Sequence, residues 1–525
     1  DPTTADFRAQ ITAAGQFLHL HTPDTNSGLV EARQGSIQQL FYDNNFLHDW
    51  FYDSGFNEAA GNAQTNNFTR GGLGNDSIKA QAQDFQSFSN ANMLTPADGA
   101  RPRMRMYVFP NLSNKLDVQA PAAIAGAKQT GISMSGPQAY DITTDIVIAT
   151  FVTGTCNVTN AGALAGKIAM FDFDNTDGTG CSFSTRIARL TTQTTASAIL
   201  MVYTSAAPTI VANITGYVIA NTKPVAMTSW NTGLAIKGQL SVPTTVTARL
   251  LKVGDRDGDL DNQIVFHEWG HYISNRLIGD GSGIITQQSG SMGEGWGDFN
   301  AMLLTVRADD TATPSNATWN GAYALATYAT SGVPFNGSLN DGYYYGIRRY
   351  PYSTDMNINP LTFKHVANGQ ALPVGPPVAF GQSGSNNAEV HNSGEVWSNM
   401  LWECYASLLR DTQGGSPRLT FTQAQLRMRD YLVASWKMSP YGPTFLEQRD
   451  SVLAAAYASD LVDYVEFWQA FAKRGAGIAA VAPPRYSTDH VGAVESFSPA
   501  NELLFVSSGL DDSVSSCDAD GSLDA

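Results

Sequence analysis

"QIVFHEWGHYISNRL", Gln263 to Leu277, places two histidines four residues apart with a glutamate beside the first. A helix turns about 100° per residue, so His267 and His271 share one face a single turn apart, which is the bite a divalent metal takes. Histidine and glutamate are scarce in this chain, and composition alone gives about 0.003 chance occurrences of His-Glu-x-x-His. The stretch therefore predicts a metal-binding helix, and the rest of the sequence can be searched for what such a helix needs.

A catalytic zinc site takes three protein ligands and leaves one position open. Downstream, "GSMGEGWGDFNAML" (Gly290 to Leu303) carries Glu294 and Asp298, again four apart, opening an apolar pattern through Phe299, Met302 and Leu303. Glu294 is the candidate third ligand, although a carboxylate near a helix N-terminus can also serve only the helix dipole. Asp298, one turn on, is suited to accept the free N–H of a ligand histidine. The rival continuation with a third histidine fails, because Ser274 and Leu277 stand where Gly and His are required.

Upstream, "DRDGDLDN" (Asp255 to Asn262) alternates acidic residues as a calcium loop does. Its register is wrong for an EF-hand: from Asp255, Leu260 falls where Gly belongs and Phe266 where the bidentate Glu belongs. Starting at Asp257 uses up Glu268. The reading is a tight acidic turn ending in a helix cap, and the sequence gives no support for Ca2+.

Given a zinc held by His267, His271 and Glu294, Glu268 adjoins a ligand without being one and is the natural general base and acid. "EVHNSGEVWSNMLWECY" (Glu389 to Tyr405) sets His391 before an apolar helix. That histidine could donate to an oxyanion, but on the residues alone a helix-end residue bonding locally is the simpler account.

The 525 residues suggest two to four domains, and 15% charged against 43% hydrophobic residues is the balance of a folded protein. A net charge of −16 and a pI near 4.8 oppose nucleic acid and anionic lipid as partners. No apolar run is long enough to span a bilayer. The opening "DPTTADFRAQ" has no basic start or apolar core, so any secretion signal is expected to have been removed. Of the four cysteines, Cys156 and Cys181 flank one short segment and are the pair expected to bridge, which implies an oxidising compartment.

Residues 31–70 read as helical, with Leu40, Phe41, Phe46, Leu47, Trp50 and Phe51 on a buried face. From Asn111 to Lys252 neither Glu nor His occurs. The runs Asp145 to Val152, Gly166 to Phe173 and Ala196 to Tyr203 read there as strands of a separate α/β insert, with a helix between the last two. Helical patterns resume at about Asp261 and continue to about residue 475, broken at Asn368 to Asn387. The small, acidic end reads as a linker.

Several segments, in order, resemble the fungalysin family of secreted zinc metalloendopeptidases, in its bacterial form with an inserted protease-associated (PA) domain. They are "LHDWFYDSGFNEAAGNAQTNNF", "RDGDLDNQIVFHEWGHYISNRL", "GSMGEGWGDF", "GIRRYPYSTDMNINPLTF" and "EVHNSGEVWSNMLWE". The resemblance implies an α+β, thermolysin-like metallopeptidase fold, mainly helical in its C-terminal half. It implies one catalytic Zn2+ on His267, His271 and Glu294, Glu268 as acid/base, and His391 as the transition-state histidine. It also implies secretion, protein or peptide substrates, and an inhibitory propeptide in the precursor. The expected organisation is residues 1–115 as the N-terminal part of the peptidase domain, 116–250 as the PA insert, 251–500 as the zinc-binding part and 501–525 as a tail. A thermolysin-like site usually has a tyrosine between the second histidine and the glutamate ligand, and none follows Tyr272 before Glu294. Arg348, Tyr345 and Tyr352 are the residues then expected to assist the oxyanion or bind substrate backbone. A PA-bearing zinc aminopeptidase and a non-catalytic binding protein on the same scaffold are the alternative readings.

Overall fold

In the computed structural model the described residues are 7–500, apart from 21–26, 28–29, 85, 110–113, 134, 138, 213, 215–220, 243, 253–254 and 332–340. The acidic tail lies outside them. The first helix, α1 (Val30–Tyr52), buries Leu40, Leu47 and Phe51, which recur at helical spacing. Phe41 and Phe46 instead face solvent. The helix stops well before residue 70, because the chain turns at Gly55 with φ +94°, a left-handed conformation that favours glycine. Four short strands follow: β1 (Lys79–Gln81), β2 (Ala91–Leu94), β3 (Arg103–Met106) and β4 (Val108–Phe109). The first three form a sheet in the order β1-β3-β2, which leaves β2 at an edge.

Seven strands then close a barrel: β5 (Asn114–Ala120), β6 (Gly126–Ile132), β7 (Tyr140–Ile148), β8 (Ile168–Asp172), β9 (Ala198–Val202), β10 (Val225–Thr228) and β11 (Thr247–Lys252). Their order is β10-β6-β5-β11-β7-β8-β9. The run β7-β8-β9-β10 is parallel, and its connections carry α2 (Phe183–Gln193) between β8 and β9. A second helix, α3 (Trp230–Leu240), links β10 to β11. Central strands of such a unit are covered on both faces, and β9 and β10 are buried at every position. Cys156 and Cys181 are joined in a disulfide at the edge of this unit.

Strand β12 (Arg256–Asp257) pairs with β4 and returns the chain to the helical part. There lie α4 (Asn262–Leu277), α5 (Gln287–Thr305), α6 (Asp341–Tyr345), α7 (Val390–Arg410), α8 (Phe421–Met438), α9 (Phe445–Ser459) and α10 (Leu461–Lys473). The interruption in the helices is much longer than the expected Asn368 to Asn387. The described residues between Val306 and Glu389 form α6, short 3-10 turns and irregular loops, held by side-chain anchors such as Asn359 and Asn387 rather than by helical repeats.

One large core joins Leu40, Phe51 and Met104, before the barrel, to Trp269, Phe299, Trp397 and Trp436 from the last half. Two smaller cores lie entirely between residues 116 and 250. No helix among the described residues is long and apolar enough to cross a membrane.

Candidate metal centre

Asp261 begins the site. Its carboxylate accepts the Gln263 N–H at 3.1 Å and caps α4, so the acidic turn does start the helix. The inner face of α4 buries Val265, Trp269, Tyr272 and Ile273 completely. His267 and His271 therefore stand together on the other side, with ring centroids 4.6 Å apart.

Helix α5 starts at the cap residue Thr286, two turns before Glu294. Glu294 thus lies beyond the reach of the helix dipole, which fades within the first turn, and the dipole account of this carboxylate fails. Its Oε2 lies 3.3 Å from Nε2 of His267 and 3.6 Å from Nε2 of His271. Two imidazole nitrogens and one carboxylate oxygen converge within 4.8 Å of one another. This nitrogen and oxygen set, with the Glu294 Oε2 buried and given no conventional hydrogen bond, fits a zinc ion.

Asp298 is fully buried and accepts from His267 Nδ1 at 2.9 Å. Arg348 grips the same carboxylate with Nε at 2.6 Å and Nη2 at 2.7 Å, and the Tyr352 hydroxyl donates to it as well. Tyr352 and Tyr345 are both buried and absent from the cleft wall, which corrects the expectation that they reach substrate. Tyr352 spends its hydroxyl on Asp298. Arg348 does line the cleft, yet its guanidinium is committed to the same carboxylate.

The cleft has a volume of about 520 Å³ and is walled by the zinc-competent triad, Glu268, His391 and residues of β2. Glu268 is buried, and its Oε2 has no hydrogen-bond partner among the described residues. Burial pushes its pKa up to about 7, with the Glu294 charge adding to the effect and His267 opposing it. Burial lowers His271 to about 4. It would lower His267 too, but the Asp298 and Glu294 carboxylates outweigh it and raise that group to about 10.

His391 sits at the start of α7 with Nε2 3.3 Å from Glu294 Oε2. Its Nδ1 is 2.7 Å from Glu389, whose carboxylate also caps α7, and this hydrogen bond raises the imidazole's basicity. Glu389 was not singled out by the sequence reading. The available signal was a carboxylate two residues before the histidine at a helix start.

Glycines that the motif reading also passed over bring the three helices together. A Cβ on Gly270 would meet the Cα of Gly297 at 2.8 Å, and one on Gly297 would meet the His267 ring at 2.7 Å. A Cβ on Gly394 of α7 would meet the Cβ of Glu294 at 2.9 Å. Close backbone approach at these points sets the triad's geometry.

Comparison with known proteins places these features in a family. The model described as Fungalysin metallopeptidase (M36) matches residues 4–480. Extracellular metalloproteinase 10 of Coccidioides posadasii (strain C735) is 26% identical over 89% of this chain and 47% of its own length. Extracellular metalloproteinase 1 of Trichophyton equinum is 25% identical over 90% of this chain and 50% of its own. The chain thus spans about half the length of the curated relatives it matches. Among solved structures, an aminopeptidase from Aneurinibacillus sp. strain AM-1 aligns over 45% of this chain and 42% of its own at 14% identity, with a TM-score of 0.23, too low to bear on the fold. Because the family match runs through α1, the barrel and every residue of the metal cluster, the chain belongs to the fungalysin metallopeptidase family.

Proposed function

We propose that the chain is a secreted zinc endopeptidase that hydrolyses internal peptide bonds of proteins. The observation that carries this reading is the convergence of His267, His271 and Glu294 in a cleft that also presents an unpartnered Glu268 carboxylate and His391. His267, His271 and Glu294 would hold a zinc ion, which would supply Lewis acidity to a water and to the scissile carbonyl. Glu268 takes the proton of the attacking water and returns it to the departing amine; an acidity near neutral suits both transfers. His391, made more basic by its hydrogen bond to Glu389, donates its Nε2–H to the developing oxyanion. Asp298 fixes the tautomer and angle of His267, and Arg348 with Tyr352 fixes Asp298. The outer edge of β2 lies along the cleft, where its backbone can pair with an extended substrate.

In this reading residues 116–250 are a PA domain that takes no part in the chemistry, in keeping with their separate cores and lack of Glu and His. Secretion accords with the disulfide and with relatives named extracellular. An inhibitory propeptide would cover the cleft in the precursor.

The test is Glu268→Gln, assayed for zinc content and for cleavage of an unfolded protein and of a peptide blocked at its N-terminus. One zinc per chain is expected in both proteins, with internal cleavage by the wild type and a loss of about 10²–10⁴-fold or more in the variant. Full activity of the variant would refute the role of Glu268. Two zinc ions per chain with trimming only from free N-termini would replace the endopeptidase by the aminopeptidase.

A further inference from the structure

The acidic turn before α4 contains a feature that capping does not explain. Asp259 is fully buried, and neither of its carboxylate oxygens accepts a hydrogen bond of ordinary geometry, although the Gln83 backbone N–H faces it. Its carboxyl is in hydrogen-bonding contact with that of Asp257, which is also buried. Asp43, one face of α1, points its charge at the same place and has a buried Oδ2 without a partner. No Lys, Arg or His among the described residues forms an ion pair with any of the three. Around them are neutral oxygen-bearing side chains: Ser36 and Gln83 bond Asp257, and Gln39 bonds Asp43.

A second acidic cluster among the described residues behaves differently. Asp411, Asp463 and Glu466 are met by Arg418, and Asp463 also by Arg427 at 2.9 Å, so that cluster already has counter-charge. Burying carboxylates with neither donors nor counter-charge is costly, and they must either hold protons or hold a cation.

We propose that Asp43, Asp257 and Asp259 form a second, structural cation site, of the all-oxygen kind that takes Ca2+, between α1 and the turn that starts the metal-binding helix α4. The site is not an EF-hand, because its ligands come from two separated parts of the chain. Asp257 and Asp259 touch, whereas Asp43 stands farther out: the three carboxylates do not all come within 4.8 Å of one another. Ca2+ tolerates flexible, irregular oxygen shells, so binding would draw Asp43 toward the Asp257 and Asp259 carboxylates. Burial, with the neighbouring Asp257 carboxyl adding to it, pushes the Asp259 carboxyl well up, and burial pushes Asp43 up to about 7, so protons compete with the ion. Bound Ca2+ would tie α1 to the root of α4 and so stiffen the platform of the zinc ligands without touching substrate.

The experiment uses zinc-loaded protein in calcium-free buffer at pH 8, titrated with Ca2+ while thermal unfolding is followed, and with Tb3+ while its luminescence is followed. The expected result is a melting temperature that rises with Ca2+ and a saturable Tb3+ signal displaced by Ca2+. Asp259→Asn should weaken Tb3+ binding about tenfold or more and abolish the Ca2+-dependent shift. Asp43→Asn should do the same to a smaller extent. If Asp259→Asn does not fold, the wild-type titrations and Asp43→Asn decide the matter. Wild-type protein that shows neither a Ca2+ shift nor a Tb3+ signal overturns the proposal, as does a Tb3+ signal that both variants retain in full. An Asp259→Asn protein more stable than the wild type at every Ca2+ concentration would show that the carboxyls share a proton instead.

Discussion

Gly297→Ala should loosen the metal centre although it adds one methyl group on the far side of a ligand. The new Cβ would lie 2.7 Å from Nδ1 and 2.8 Å from Cε1 and Cγ of His267, where ordinary contact begins near 3.4 Å. The ring or the helix must therefore retreat by about 0.7 Å. The ring is tethered, since Nδ1 bonds Asp298 at 2.9 Å and its other side faces His271. Overpacking of this kind costs about 1–3 kcal/mol, and replacing Gly by Ala within a helix returns about 1 kcal/mol. The net loss of folding stability is then about 0–2 kcal/mol. The larger effect falls on the metal, because disturbing what orients a ligand costs about 10–100-fold in affinity, and a displacement of this size costs up to about 100-fold in turnover.

Zinc competition titrations, denaturant unfolding and peptide hydrolysis would measure the three quantities. Gly293→Ala is the control on the same helix: its Cβ meets nothing within 4 Å, so it should gain up to about 1 kcal/mol and keep zinc affinity. A Gly297→Ala protein that binds zinc as tightly as the wild type would refute the claim that backbone contact between α4 and α5 positions His267.

Asp298→Asn leaves the buried Arg348 guanidinium without its counter-charge, so stability should fall by about 3–5 kcal/mol and zinc affinity by about 10–100-fold, read by unfolding and metal titration. Unchanged values would show that Asp298 does not orient His267. With His267 raised to about 10 and His271 lowered to about 4, the metal-free cluster holds one proton on His267 between those values. Zinc uptake near neutral pH should therefore release about one proton, measurable by calorimetry in buffers of different ionisation enthalpy, and zero release would contradict it. Glu389→Gln removes the carboxylate that raises His391, so the alkaline limb of kcat/KM against pH should move to lower pH. The sign follows from linkage: a group whose pKa is raised by a folded-state partner keeps its proton until pH passes the raised value, and loses it earlier without that partner. Replacing Cys156 and Cys181 together by Ser opens a bridge that spans 25 residues in sequence, which by loop entropy is worth about 3–4 kcal/mol. The loss should appear as faster hydrogen exchange in β8 and β9 with zinc content unchanged.

What was legible in the sequence was local and periodic. His267 and His271 announce themselves because four residues make one helical turn, and the barrel strands β8 and β9 because short apolar runs are bounded by turn residues. The end of α1 and the long irregular stretch after α5 were misjudged for a common reason. Apolar residues such as Phe41 and Phe46 fit a helical repeat without being buried, and the described residues between 306 and 389 are fixed by single side-chain anchors that have no period.

Arg348 and Tyr352 mark the limit of reading roles from residue type. Both carry groups able to stabilise an oxyanion, and the sequence separates them from Asp298 by about fifty residues, so nothing in it says that all three meet. A buried carboxylate needs its lone pairs filled, and Asp298 fills them from a ligand histidine on one side and from Arg348 and Tyr352 on the other. The demand that draws those two residues in is thus the desolvation of Asp298, which exists only once α4 and α5 have packed. The glycines belong to the same class of information. Gly270, Gly297 and Gly394 leave no mark on a hydrophobic pattern, yet each stands where a neighbouring helix, ring or ligand carbon comes within 2.9 Å of a side chain's first atom. Ligand identity was therefore written in spacing, and ligand geometry in contacts between helices distant in the chain.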